Sequence, residues 1–419
     1  MDFSIPADIQ ALLDECDAFI DDVIKPMENE DDNIRFFDHR REDARTDWDR
    51  DGLPNAEWEA LLRRMRVEAD NAGLLRYRLR ERFGGRDGSN LAMAVVREHL
   101  ARKGLGLHND LQNESSIIGN FPTVLMMEKF GSDQQQAEWI PKMLAGEARI
   151  GFGLTEPLHG SDATWMETTA VRDGDEWIIN GEKYWNTGLH HATHDYIFAR
   201  TSGNPGEGHG ITNFIVPVDT TGFEVEEFMW TRHITAAPEL VRLTVVRGPH
   251  ASSLGRKGRG LQSAQLFVHA IRIRQAASSV GAGLHCIDMA VEHVNNRMVF
   301  GKPLSQNQAI QFPLAELYTE AEMIRALIWK TAWQMDQGVD HLEITDRVAM
   351  CNYRANRFCC NAADQAMQAC GGYGYGRKYP FEHIYRHHRR YRITEGTEEI
   401  QIRKVAGKLF GISGRAKTG

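Results

Sequence analysis

Two dipeptides, Asp173-Gly174 and Asn180-Gly181, interrupt a chain that otherwise reads as helix, and they constrain its fold more than any other feature. Both tolerate positive φ, and both predict hairpin turns between extended segments. Strand-like runs follow at 196–200 and 212–218, with a Gly/Pro loop over 203–210 between them. On either side the apolar spacing is helical. Leu12, Leu13, Cys16, Phe19, Ile20 and Val23 recur at helical intervals, and the pattern returns over 58–69, 90–102 and 121–130. Beyond Gly258, residues Leu314, Leu317, Ala321, Ile324 and Ile328 form one apolar stripe, and 344–370 reads as a second long helix rich in small residues. The expected fold is multidomain α+β. A helical N-terminal domain covers 1–150, a β-barrel or sandwich domain 151–254, and a four-helix bundle 255–419.

The chain has 419 residues, 42% hydrophobic and 26% charged, which is enough for two or three domains with a large core. A net charge of -9 argues against a nucleic-acid surface. No apolar run reaches membrane-spanning length, since a stretch such as 264–270 is broken by Gln265 and His269. The start carries Asp14, Glu15 and Asp17 before any basic residue, unlike a secretory or mitochondrial leader. Cys16, Cys286, Cys351, Cys359, Cys360 and Cys370 lack metal-ligand spacing and suit reduced thiols, so a cytoplasmic location is expected. His190, His191 and His194 have no carboxylate or cysteine set beside them and are read as loop histidines, not a metal site.

Five segments carry candidate chemistry. Phe152-Gly153-Leu154-Thr155-Glu156-Pro157 with Gly160-Ser161-Asp162 can turn backbone amides toward a polar ligand; the bland alternative is a turn entering the β domain. Asn180-Gly181-Glu182-Lys183-Tyr184-Trp185-Asn186-Thr187 can offer an indole and a hydroxyl to a planar ring, or simply hold a core tryptophan. Arg297-Met298-Val299-Phe300-Gly301-Lys302-Pro303 would end a helix with an arginine suited to a diphosphate, or be a plain helix stop. Gln368-Ala369-Cys370-Gly371-Gly372 would do the same with a bare backbone. In Glu395-Gly396-Thr397-Glu398-Glu399 a carboxylate precedes a glycine, which suits a general base on a turn that approaches its substrate closely.

The order and spacing of these segments resemble the acyl-CoA dehydrogenase family over nearly the whole chain. The resemblance implies an FAD-dependent oxidoreductase that introduces an α,β double bond into an acyl-CoA in fatty-acid β-oxidation. Glu395 would be the catalytic base, and Ile271, which cannot accept a proton, fills the alternative position for that carboxylate. Phe152, Leu154, Thr155, Ser161, Trp185 and Thr187 would line the flavin. Arg297, Phe300, Gln308, Gln368, Gly371 and Gly372 would hold the FAD diphosphate and adenosine, in part from a neighbouring subunit, and Thr397 and Glu399 would also face FAD. Ser161, Arg272, Thr394 and Gly396 would meet the substrate. A homotetramer and an electron-transfer flavoprotein as acceptor are expected. FAD would be held without a dinucleotide fingerprint, because 371–376 follows a helix and lacks the spacing.

The chain departs from the family pattern at His387, where an aspartate is usual, at Thr394, where tyrosine is common, and over 232–249. A smaller residue at 394 would widen the pocket for a branched or bulky acyl group. Two other functions remain on the same fold: an oxidase that returns electrons to oxygen, and a flavin-bound interaction subunit without turnover.

Overall fold

The computed structural model describes residues 4–50, 52–109, 116–186, 188–228 and 239–412. The chain divides into two compact units, Met1–Arg45 with Asn55–Asn120 and His269–Gly419, and Thr46–Pro54 with Phe121–Val268.

The first unit opens with α1 (Ala7–Phe19), α2 (Ala56–Asn71) and α3 (Asn90–Arg102). Each helix starts where its sequence allows. Asn55 Oδ1 accepts from Glu57 N–H at 2.8 Å, and Ser89 Oγ from Ala92 N–H at 3.0 Å. Leu12, Leu13, Cys16, Trp58, Met65, Val96 and Leu100 close one core. The charged stretch near residues 30–45 forms short 3-10 turns, tied by pairs such as Arg41–Asp32 at 2.7 Å.

The second unit carries α4 (Pro122–Phe130) and α5 (Asp133–Leu144), then β1 (Ile150–Gly153), β2 (Thr169–Asp173), β3 (Glu176–Lys183), β4 (His194–Arg200), β5 (Ile211–Pro217), β6 (Phe223–Phe228), β7 (Glu239–Pro249) and β8 (Ser253–Leu254). Their order in the sheet is β8-β5-β4-β2-β3-β7-β6, with β1 parallel to β4. Trp177, Ile179, Ile197, Phe214, Val241 and Leu243 fill its interior. Gly174 turns the β2–β3 hairpin as expected, at φ 61. Asn180-Gly181 does not turn. It lies inside β3, where the register with β7 shifts between Ile179 and Gly181. Gly181 has φ 147, and a Cβ there would stand 2.5 Å from Thr168 Oγ1. The dipeptide permits a bulge with close backbone approach, and period alone does not separate that from a turn.

The C-terminal helices are α6 (Gly260–Asn296), α7 (Gln308–Asp336), α8 (His341–Cys370), α9 (Phe381–Tyr391) and α10 (Glu398–Leu409). The expected stripe is real: Leu314, Ala321, Ile324 and Ile328 are buried on α7. They pack in cores with Ala276, Val280, Leu284, Val348 and Phe358, and with Cys286, Cys359 and Phe381. All six cysteines are free and buried. Arg297 does not end a helix cap at Gly301. α6 stops at Asn296, and Met298–Val299 pairs with Lys302–Pro303 around Phe300 (φ 50) and Gly301 (φ 81). Two central residues with positive φ favour such a tight hairpin. Among the described residues, no helix is long and apolar enough to cross a membrane.

Candidate functional site

In the helical unit the site is built around the turn between α9 and α10. Glu395 takes φ 56 and Gly396 φ 88, two successive left-handed residues. Arg272 on α6 explains how a glutamate is held there. Its Nε donates to the Glu395 carbonyl oxygen at 3.0 Å, and Nη2 donates to the same oxygen. A Cβ on residue 396 would stand 2.9 Å from that Nη2 at φ 88, so a larger residue there would displace the guanidinium and strain the backbone. Arg272 is 2% exposed. Burial pushes its guanidinium down to about 10 against the opposing charge of Glu395, which leaves it protonated at neutral pH. The resemblance places this arginine beside CoA; in the structure it also grips the main chain of the candidate base.

The far side of the turn is also anchored. Gln401 Nε2 donates to the Gly396 carbonyl at 2.8 Å. Thr397 Oγ1 caps α10 by accepting from Ile400 N–H at 3.4 Å. Glu398 receives Arg392 Nε at 2.9 Å and Arg357 Nε at 3.0 Å. The hydrogen bond from Arg392, reinforced by Arg357 and only partly opposed by burial, holds its carboxyl down to about 2. Lys404 on α10 is pushed down to about 8 by burial and by the charge of Arg272. Thr394 and Glu399 are exposed.

A second group in this unit gathers at the C-terminus of α8. A cavity of about 410 Å³ is lined by residues including Arg297, Gly371, Gly372 and Tyr373. Gly371 has φ 58, and nothing lies within 4 Å of a Cβ placed on Gly371 or Gly372. The Arg297 guanidinium lies 5.7 Å from the Tyr373 ring centroid. Bare backbone, a delocalised cation and an aromatic face suit a nucleotide diphosphate and its base. Gln368 and Gln308 are exposed, and Phe300 is 100% exposed at the hairpin tip.

In the β unit, Phe152, Leu154 and Thr155 follow one another at the end of β1 and are half-buried; Ser161 is exposed. Phe152 stacks on Phe267 with centroids 4.2 Å apart. Tyr184 N–H donates to the Thr155 carbonyl at 2.9 Å and so ties the first motif to the second. Trp185 takes φ 66 and is 47% exposed. Thr187 lies outside the described residues.

Behind these segments stand residues that motif reading quoted without a role. Glu156 accepts from Lys183 Nζ at 2.9 Å and Thr168 N–H at 2.9 Å in the interior, and from Glu167 N–H at 2.6 Å nearer the surface. Burial raises the Glu156 carboxyl, but the charge of Lys183 and these hydrogen bonds bring it below its ordinary value. Burial pushes the Lys183 ammonium down to about 8 despite Glu156. Asn186 Nδ2 donates to Asp195 Oδ2 at 2.5 Å. Both are fully buried, and burial raises the Asp195 carboxyl to about 7. Glu156, Lys183 and Asn186 stand within the two quoted motifs, whereas Asp195 carried no motif signal.

Three family models match the chain: acyl-CoA dehydrogenase N-terminal domain over 31–147, middle domain over 151–237 and C-terminal domain over 258–410. The human mitochondrial short-chain specific acyl-CoA dehydrogenase is 33% identical over 341 residues, covering 81% of this chain and 80% of that protein. The glutaryl-CoA dehydrogenase of Desulfococcus multivorans is 30% identical over 416 residues, covering 98% and 99%. Among solved structures, butyryl-CoA dehydrogenase from Megasphaera elsdenii superposes with a TM-score of 0.76 at 26% identity, covering 98% and 100%.

Proposed function

The chain belongs to the acyl-CoA dehydrogenase family, FAD enzymes that oxidise CH–CH bonds, and from that premise we propose that it converts an acyl-CoA to its trans-2-enoyl-CoA with Glu395 as the base. The observation that carries the reading is the clamp of Arg272 on the Glu395 carbonyl. It holds a carboxylate-bearing residue in a left-handed turn beside a glycine, a conformation that costs energy and that clusters at functional sites.

The reaction needs an α-proton removed from a weakly acidic thioester. Glu395 would take that proton, while the N–H groups of the turn stabilise the carbonyl oxygen as charge develops on it. FAD, when bound, accepts the β-hydride. Phe152, Leu154, Thr155, Ser161, Trp185 and Thr187 would hold the ring. Arg297, Phe300, Gln308, Gln368, Gly371, Gly372, Thr397 and Glu399 would hold the diphosphate and adenosine, some of them across an interface in a homotetramer. The residues present fit the group: an exposed indole in one unit, an arginine beside open glycine backbone in the other. Ser161, Thr394 and Gly396 would meet the acyl thioester. Arg272 would meet the CoA chain as well as hold the turn. Electrons would leave to an electron-transfer flavoprotein. The relatives named for short-chain, butyryl and glutaryl substrates define the acyl groups to test first.

Anaerobic bleaching of the bound flavin by an acyl-CoA panel spanning length and branching tests the reading. Parent protein bleaches with at least one member. Glu395→Gln keeps its flavin and slows bleaching by at least about a hundredfold, the low end for losing a general base. Undiminished bleaching in Glu395→Gln overturns the assignment of the base. No bleaching of the parent by any acyl-CoA overturns the activity.

A further inference from the structure

Replacement of the usual aspartate by His387 predicts an altered charge network behind the turn. Next to that position the structure holds a chain of buried polar side chains that begins at His388. His387 and His388 on α9 are both fully buried. Burial, reinforced by the charge of Arg390, holds the His388 imidazole down to about 3. From His388 a continuous chain of hydrogen bonds runs through the bundle to the turn that carries Glu395.

Its direction follows from donor and acceptor capacity. Asn356 Nδ2 donates to Asn352 Oδ1 and to the Tyr391 carbonyl, both at 3.0 Å, which fixes the orientation of that amide. Asn356 Oδ1 is therefore an acceptor, and the Ser279 hydroxyl donates to it at 2.7 Å. That uses the only proton on Ser279, so the His388 Nδ1 contact at 2.9 Å requires the Nδ1–H tautomer, donating to the serine. Asn352 is the hub. Its Oδ1 accepts from Asn356 and from Gln401 Nε2 at 3.0 Å. Its Nδ2 donates to the Arg272 carbonyl at 3.0 Å and to Gln275 Oε1 at 3.3 Å. Gln401 then donates to the Gly396 carbonyl at 2.8 Å. Asn352, Asn356, Ser279 and Gln401 are all 0% exposed.

Asn352 thus touches both anchors of the turn: the backbone of Arg272, whose side chain holds Glu395, and the amide of Gln401, which holds Gly396. We propose that Asn352 and Gln401 are positioning residues that preset the Glu395–Gly396 turn for proton removal. The inference rests on Glu395 being the base. Each link is a neutral hydrogen bond, whose loss is worth up to about 1.5 kcal/mol, or roughly tenfold in rate. A rigid polar network fully satisfied at its hub suits this role, because it holds one geometry without placing another charge beside the base.

The test uses the flavin-loaded full-length protein and an acyl-CoA that bleaches the parent. In Gln401→Leu, the limiting rate of anaerobic flavin reduction is expected to fall about tenfold, with flavin content and acyl-CoA dissociation constant within about twofold of the parent. Gln401→Met, closer in shape, is expected to do the same and serves if the leucine variant misfolds. Adding Asn352→Leu is expected to slow reduction by less than the product of the two single effects, because the residues share the Gln401 link while Asn352 alone also holds the Arg272 backbone. A reduction rate within twofold of the parent overturns the proposal, as does a loss matched by equal losses in flavin or acyl-CoA binding, or full additivity in the double variant. Glu395→Gln is run alongside. Fast reduction in that variant overturns the base assignment, whereas a slow Glu395→Gln with an unaffected Gln401→Leu overturns only the positioning role.

Discussion

The Arg272 guanidinium reaches the main-chain carbonyl oxygen of Glu395 from two of its nitrogens, Nε and Nη2. It fixes where the residue sits, and a single ammonium cannot reproduce that fork. Arg272→Lys is therefore expected to lower kcat by about tenfold to a hundredfold, the worth of one hydrogen bond to a charged group. Steady-state turnover alongside flavin absorbance checks it: the loss should appear in kcat with the flavin retained.

Glu398 gives the fold an acid-sensitive point. Its carboxyl sits at about 2 when folded against an ordinary 4.5. A depressed carboxyl stabilises the native state above the ordinary value, and that stability is lost as pH falls from about 4.5 toward 2. Discounted for solvent screening, the amount is on the order of 1–2 kcal/mol. Denaturant unfolding at pH 7, 4 and 3 should show the decline, and Glu398→Gln should flatten it.

Lys183 and Glu156 form an ion pair with side chains 0% and 4% exposed. Removing one partner strands a charge in the interior. Lys183→Met is expected to cost about 3–5 kcal/mol, and pairing it with Glu156→Gln to recover most of that. Thermal unfolding of the single and double variants measures both.

Phe300 is 100% exposed and Tyr375 is 94% exposed in the same helical unit. In the proposed homotetramer such side chains would be covered by another copy. Phe300→Asp is expected to lower the molar mass in solution and to weaken flavin retention together. Light scattering with flavin quantification reads both.

Much of the architecture was legible because it depends on spacing. The expected helix over 90–102 coincides with α3, and the strand-like run over 196–200 falls within β4, which begins at His194. Apolar periodicity is set by burial on one face, and it survives without knowledge of the partner face. Asn180-Gly181 shows the limit. The dipeptide licenses positive φ, but only the approach of Thr168 makes it a bulge inside a strand. The Arg297 segment shows the same limit, as a hairpin where a helix stop was expected. The site divides similarly. Residues quoted in motifs were found by local pattern, whereas Asn352 and Asn356 stand in an ordinary helical run with no local signal.

The sequence by itself determined the helix–sheet–helix order, the family, and the pairing of a carboxylate with a glycine at 395–396, because each of these is written in nearest-neighbour chemistry. Tertiary structure alone decided what holds that pair. Arg272 lies 123 residues from Glu395, and Asn352 lies 49 from Gln401. Hydrogen bonds across such separations exist only once the helices have packed, since no local spacing encodes which buried donor will meet which buried acceptor.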